Sequence, residues 1–270
     1  MNRHPDGGGK SIPAEYGHSG EFAGAVQPAR PMRGAMWRFR STLATRLQHG
    51  EHLILYGPRG SGKSTLLAEL HADLMDCGTP CARSSTTARL EDMTSAFVRA
   101  YPEVATAYVT RRGARARLRL AAEQRAGVLL LDHVTSVGTA MLGSIHRLRG
   151  GLAGILMAVD VDGERERLAL RERRLGMPLL SMPPLSARRL RALFRMHCAN
   201  LDLPAATPLQ ERQIVRAARG RPGWVVQCAR LIAQDRYWRD QTLYVSVLCL
   251  DTEIALQLGP HSLPPLSQPR

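Results

Sequence analysis

Along the first two thirds of the chain the apolar positions alternate between two rhythms. Residues 53–56, 128–131, 154–159 and 177–182 are short, nearly unbroken apolar runs. Such runs have the form of strands buried on both faces of a parallel sheet. Between them apolar residues recur at helical spacing: Met36, Phe39, Leu43 and Leu47 within 32–48, Leu90, Met93, Phe97 and Tyr101 within 88–101, and Met141, Ile145 and Leu148 within 137–149. Further helices are expected from the glycine-rich turn after 56 to about residue 75, over 105–125 and over 163–174. Residues 80–85 give a weaker, short strand. Strands that alternate with helices predict an α/β fold, a parallel sheet sandwiched by helices with right-handed crossovers.

From residue 183 the strand signal stops and helix signals continue. Ser186 is placed to cap a helix running to about residue 200, and Thr207-Pro208 puts a cap and an N1 proline where a helix start favours them. A third helix opens at Gly220-Arg221-Pro222-Gly223 and runs to residue 232, while 243–258 is apolar and reads as either helix or strand. Residues 1–31, with Gly7-Gly8-Gly9 and prolines such as Pro28 and Pro31, have too little apolar periodicity to offset the entropy of ordering. The expected organisation is a flexible arm (1–31), an α/β domain (32–184), a small helical domain (185–258) and a loose proline-rich tail (259–270).

Charge adds a candidate partner. With 270 residues, 44% of them hydrophobic, the chain can build a real core, yet it carries a formal charge of +14. A charge of this sign attracts polyanions, nucleic acid first, although an arginine-rich composition throughout a proteome would give the same sum. The most basic stretch is the expected helix 105–125, where Arg111, Arg112, Arg115, Arg117, Arg119 and Arg125 face Glu123 alone. It reads either as a phosphate-contacting face or as a solvated one. Five scattered cysteines, Cys77, Cys81, Cys198, Cys228 and Cys249, lack the paired spacing of a zinc site and are expected to be free buried thiols. No segment resembles a signal peptide or reaches membrane-spanning length, so a cytoplasmic location is expected.

The densest chemistry lies after the first apolar run. Gly57, Pro58, Arg59, Gly60, Ser61, Gly62, Lys63 and Ser64, with Thr65 following, satisfy the phosphate-loop pattern G-x-x-x-x-G-K-[ST] between a strand and a helix. Glycines at 57, 60 and 62 allow the backbone to turn N–H groups toward an anion, and the helix that follows aims its positive end at the same point. The pattern predicts ATP with Mg²⁺, Lys63 reaching the β- and γ-phosphates and the Ser64 hydroxyl ligating the metal. Of the 37 basic residues only Lys10 and Lys63 are lysines, and one of these two stands where a compact ammonium is useful. Asp132 closes the apolar run 128–131 at its carboxyl end, where ligands of open α/β sheets bind, and is the natural second Mg²⁺ contact, through water.

Taken together these residues resemble the AAA+ class of P-loop ATPases, and within it the compact bacterial transposition, replication-initiation and Cdc6-like ATPases; the resemblance covers roughly residues 33–235. It implies a helical lid after the α/β domain, and it gives roles to residues that spacing alone does not. Asp160, at the end of the fourth strand, falls where the family has a polar sensor of the γ-phosphate or attacking water. Arg174 resembles the arginine finger that reaches a neighbouring subunit's nucleotide, which implies a possible homo-oligomer. Gly220-Arg221-Pro222 is similar to the lid turn that packs near the adenine, with Pro222 the contact residue. Two positions depart from the family. His133 stands where a water-polarising glutamate usually follows the metal aspartate, and an imidazole is a poorer base for that step. Gly223 stands where the lid often has arginine, leaving Arg219 or Arg221 as substitutes. The resemblance therefore implies either an ATPase, slow because of His133, that acts on or with DNA or a DNA-bound protein partner, or a nucleotide-gated interaction switch with little hydrolysis. A small-molecule kinase fits poorly, since no carboxylate near 84–90 or 134–140 supplies an acceptor base.

Overall fold

The computed structural model describes residues 34–85, 96, 100, 127–134, 145, 149–164, 166–167, 169, 176–199, 201 and 206–258. Five of its strands form one parallel sheet: β1 (His52–Gly57), β2 (Cys81–Ser84), β3 (Val128–Leu131), β4 (Gly154–Asp160) and β5 (Leu179–Ser181), in the order β2-β3-β4-β1-β5. The two strands that end in the candidate site, β1 and β3, therefore flank β4, and all three present their carboxyl ends on the same edge.

Side chains alternate across the sheet because the strand period is two. Ile54, Leu129, Leu131, Ile155 and Met157 enter one apolar layer with Val134, Ile145 and Met177. Leu53, Leu55, Val128, Leu130, Leu156 and Ala158 enter the other, against helices α1 (Ala35–Gln48) and α2 (Lys63–Asp76). This explains why the strands read as continuous apolar runs: neither face meets water. Gly154 lets the end of α1 rest on β4, because a Cβ there would come within 2.5 Å of the Leu47 carbonyl oxygen.

The helices after the sheet are α3 (Ala187–Cys198), α4 (Pro208–Ala218), α5 (Pro222–Leu231) and α6 (Val245–Leu258), gathered around buried Trp224, Tyr237 and Phe194. Thr207 and Gln210 make a reciprocal capping box at the start of α4. Ser186 occupies the cap position of α3 but its side chain makes no capping hydrogen bond there. The stretch left open between helix and strand resolves into both: residues 242–243 pair with 238–239 as a small hairpin (β6, Trp238–Arg239; β7, Thr242–Leu243), and α6 follows. The turn residues Asp240 and Gln241 both have positive φ, 48° and 58°, as a tight two-residue hairpin turn requires.

Several expectations shift by a few residues. The first helix starts at Ala35 rather than 32, and the fifth strand is shorter than 177–182. All five cysteines are free, but Cys77 is exposed, so the buried-thiol expectation fails there. Burial raises the Cys81 thiol to about 12 and the Cys198 thiol to about 11. The arm 1–31, the arginine-rich stretch 105–125, Arg174 and the tail 259–270 lie outside the described residues, as does most of 88–101, 137–149 and 163–174. Among the described residues no helix is long and apolar enough to cross a membrane.

Candidate functional site

The loop from Gly57 to Gly62 joins β1 to α2 and is shaped by glycine for two different reasons. Gly60 and Gly62 have φ of 76° and 96°, a region that costs other residues dearly. Gly57 does not; its need is space, since a Cβ there would lie 3.0 Å from Met182 Cβ. The first helical bond of α2 runs from the Leu66 N–H to the Gly62 carbonyl, so the N–H groups before it head the helix at its positive end. Pro58 and Ser61 close the loop by a 3.1 Å backbone bond, and Thr65 lies exposed on the first turn of α2.

Lys63 is 6% exposed and turned into the loop. Its Nζ donates to the carbonyls of Gly57 at 2.7 Å and Pro58 at 3.0 Å, lies 3.3 Å from Ser61 Oγ, and pairs with Asp160 Oδ1 at 2.8 Å. Asp160 reaches it because Asp160 and Gly57 are register partners at the ends of β4 and β1. Its other oxygen, Oδ2, is 3.5 Å from Arg59 Nε. Arg59 is itself tied down, its backbone N–H donating to Asp162 Oδ1 at 3.1 Å and its guanidinium to the Gln257 carbonyl at the end of α6.

On the opposite side of α2's first turn, Ser64 Oγ donates to Asp132 Oδ1 at 3.1 Å, and Asp132 is 2% exposed. Its Oδ1 also accepts from the His133 backbone N–H at 3.0 Å. His133 adopts φ 50°, and its Nε2 lies 3.4 Å from Ser64 Oγ. Sequence reasoning missed a further neighbour. Arg83 Nη2 sits 3.5 Å from Asp132 Oδ2 and donates to the Ser64 carbonyl at 3.3 Å. An arginine inside the apolar four-residue strand β2 was the available signal, since a charge placed there needs a partner.

The helical unit closes the third side. Gly223 N–H donates to the Gly60 carbonyl at 2.8 Å, and Pro222 packs so closely that a Cβ on Gly62 would lie 3.2 Å from its Cγ. Arg221 is 9% exposed and forms a two-pronged pair with Glu253 at 3.0 and 2.7 Å, while Trp224 Nε1 donates to the same carboxylate at 3.0 Å. The Arg221 bond is the main reason the Glu253 carboxyl lies below its ordinary range. Arg221 is thus committed within the helical unit, whereas Arg219 is exposed at the end of α4 with φ 48°. A cavity of about 520 Å³ lies between loop and helices, lined among others by Pro58, Asp162, Arg219, Trp224 and Glu253. Of the expected site residues, Lys63, Ser64, Asp132, His133, Asp160 and Pro222 converge on one loop, and Arg174 lies outside the described residues.

A phosphate loop at the carboxyl edge of a five-stranded parallel sheet, with a helical unit packed on it, defines the α/β fold of P-loop nucleotide-binding proteins. More particularly, the fold is that of the AAA+ ATPases, of the Cdc6 and DnaA kind. The structure is similar to Cdc6p from Pyrobaculum aerophilum, with TM-score 0.53 and 15% identity over 78% of this chain and 64% of that one. Domain III of the replication initiation protein DnaA from Thermotoga maritima gives TM-score 0.47 and 14% identity over 79% of this chain and 89% of that one. PCH-2 from C. elegans gives 0.45 and 15% over 83% and 68%. At such identities what is shared is the fold, and this chain spans less than two thirds of the Cdc6p chain. Sequence comparison alone matches no protein-family model and no curated protein.

Proposed function

We propose that the chain binds ATP with Mg²⁺ in the loop 57–64 and hydrolyses it slowly, acting as an ATP-dependent partner of DNA or of a DNA-bound protein. The observation that carries this reading is the convergence of Lys63, the Ser64–Asp132 pair and the positive end of α2 on one glycine-shaped loop. The residues suit the ligand: two positive-φ glycines leave the loop open to a bulky anion, and a hydroxyl beside a buried carboxylate is the hard oxygen set that Mg²⁺ takes. Gly57 to Thr65 would cradle the phosphates, Lys63 neutralise them, Ser64 and Asp132 hold the metal, and Pro222 border the base. Bound Mg²⁺ would supply charge neutralisation at the transferring phosphoryl group.

His133 follows Asp132 where a carboxylate would activate water, which favours slow turnover and a long-lived ATP-bound state. This supports a nucleotide-gated switch as the second reading. The net charge of +14 supports a polyanionic partner. Contacts from 105–125, oligomerisation through Arg174, the division into domains at 184/185 and a cytoplasmic location belong to the same proposal. The deciding experiment measures ATP binding and turnover by the parent and Lys63→Ala, with and without duplex DNA. Binding lost in the variant and slow, DNA-responsive turnover in the parent are expected; equal ATP affinity in both proteins would refute the loop assignment.

A further inference from the structure

Lys63 has three N–H donors and four acceptors already within 3.3 Å, one of them the carboxylate of Asp160. The two carbonyls belong to the loop backbone, and Ser61 is part of the same turn. Asp160 is the only one of the four that carries a full charge. It is also well placed to interfere with a particular phosphate. Because β4 lies between β1 and β3, the end of β4 falls between the phosphate loop and Asp132. A phosphate chain running from the loop toward the Ser64–Asp132 pair passes Asp160 with its last group, the one a diphosphate lacks.

We infer that Asp160 sets how strongly this site distinguishes nucleoside triphosphate from diphosphate, by competing with the γ-phosphate for Lys63 and by passing to Arg59 when the phosphate wins. This rests on the nucleotide-binding reading of the loop. The second half follows from Arg59 Nε, already 3.5 Å from Asp160 Oδ2. A carboxylate that loses Lys63 while only 18% exposed needs another cation, and Arg59 is within reach without leaving the loop. Without Arg59, the displaced charge would lie beside the incoming phosphate uncompensated. Discrimination against ATP would then be stronger.

The test is equilibrium binding of Mg-ATP and Mg-ADP, by calorimetry, to the full chain and to Asp160→Asn, Arg59→Gln and the double variant. Asp160→Asn is close to isosteric and keeps a hydrogen-bonding oxygen for Lys63. It is expected to raise the ATP-over-ADP preference about tenfold or more, a difference of about 1.4 kcal/mol. Arg59→Gln should lower that preference in the parent and leave it unchanged in the Asp160→Asn background, the coupling a double-mutant cycle isolates. ADP binding itself reports that each variant is folded. A preference unchanged in Asp160→Asn overturns the inference while leaving nucleotide binding intact. So does a selective loss of ATP, which would make Asp160 a direct support of the γ-phosphate. An Arg59→Gln effect of equal size in both backgrounds would show that Arg59 meets the phosphate itself and overturns the hand-over. A parent that binds neither nucleotide overturns this inference and the proposed function together.

Discussion

The backbone N–H of Gly223, at the start of α5, donates a 2.8 Å hydrogen bond to the carbonyl of Gly60 in the phosphate loop. The contact is backbone to backbone, and it needs glycine on both sides. A Cβ on Gly223 would lie 2.9 Å from Gly60 Cα, and one on Gly60 3.0 Å from the Trp224 nitrogen. The helical unit and the loop therefore meet with no side chain between them. Displacement of the loop by a ligand would be felt directly by α5.

Gly223→Ala tests how tightly the two parts are locked. Alanine is favoured over glycine in a helix by about 1 kcal/mol, which alone would stabilise α5. The clash here is with backbone atoms that no rotamer change can move aside, and overpacking of that kind typically costs about 1–3 kcal/mol. The clash should win. Urea unfolding of the variant is expected at a lower midpoint than the parent; a higher midpoint would mean that the contact gives way without cost.

Glu253 makes the helical unit sensitive to acid. Its carboxyl is lowered from the ordinary 4.5, chiefly by the Arg221 hydrogen bond. A lowered folded-state value means the stabilisation is fully present above the unfolded value near 4.5 and is lost as pH falls through the lower folded value. Glu253→Gln removes this dependence. The parent should therefore be the more stable at neutral pH, and its advantage over Glu253→Gln should shrink as the pH is brought below about 4. Because the carboxylate is 39% exposed, the difference will be modest. An advantage that stayed constant down the pH series would mean that packing, not charge, accounts for it.

Arg83 bears on the metal site. Its guanidinium, 3.5 Å from Asp132, partly neutralises the carboxylate that would face Mg²⁺. Arg83→Gln is expected to lower the Mg²⁺ concentration needed for half-maximal ATP binding severalfold, measured by titrating Mg²⁺ at fixed nucleotide. An increased requirement would instead make Arg83 a scaffold that holds Ser64 and Asp132 in place.

Sheet, phosphate loop and helical unit were legible in the sequence because each leaves a local pattern. Continuous runs such as Val128 to Leu131 report burial on two faces, and the spacing from Gly57 to Ser64 is a signature in itself. What remained hidden depends on juxtaposition across the sheet. That Asp160 pairs with Lys63 follows from β4 lying next to β1, an order that element counting cannot supply. Arg83 against Asp132, Arg59 against the end of α6 and Arg221 against Glu253 join residues 32 or more positions apart. The small hairpin was missed for another reason: Asp240-Gln241 is not the Asn-Gly or Asp-Gly pair that announces such a turn. Gly57 was assigned a turning role when its need is for room beside Met182.

His133 is the residue on which turnover should depend. It follows the buried Asp132, anchors to it through its backbone N–H, and brings Nε2 to 3.4 Å from Ser64 Oγ. A glutamate at this place could accept a proton from water, and a positioned base of suitable pKa typically contributes about 10²–10⁴-fold, roughly 3–5 kcal/mol of barrier. His133→Glu should therefore raise ATP turnover at saturating nucleotide, while Lys63, Ser64 and Asp132 leave ATP affinity nearly unchanged. The backbone needs its own control, because His133 holds φ 50°, a conformation strained for any residue with a Cβ. His133→Gly relieves that strain without supplying a base, so it should stabilise the fold and leave turnover low. Steady-state phosphate release by the three proteins, with and without DNA, separates the two effects. A parent already turning over as fast as His133→Glu would move the water-positioning role elsewhere, with Asp160 the first residue to examine.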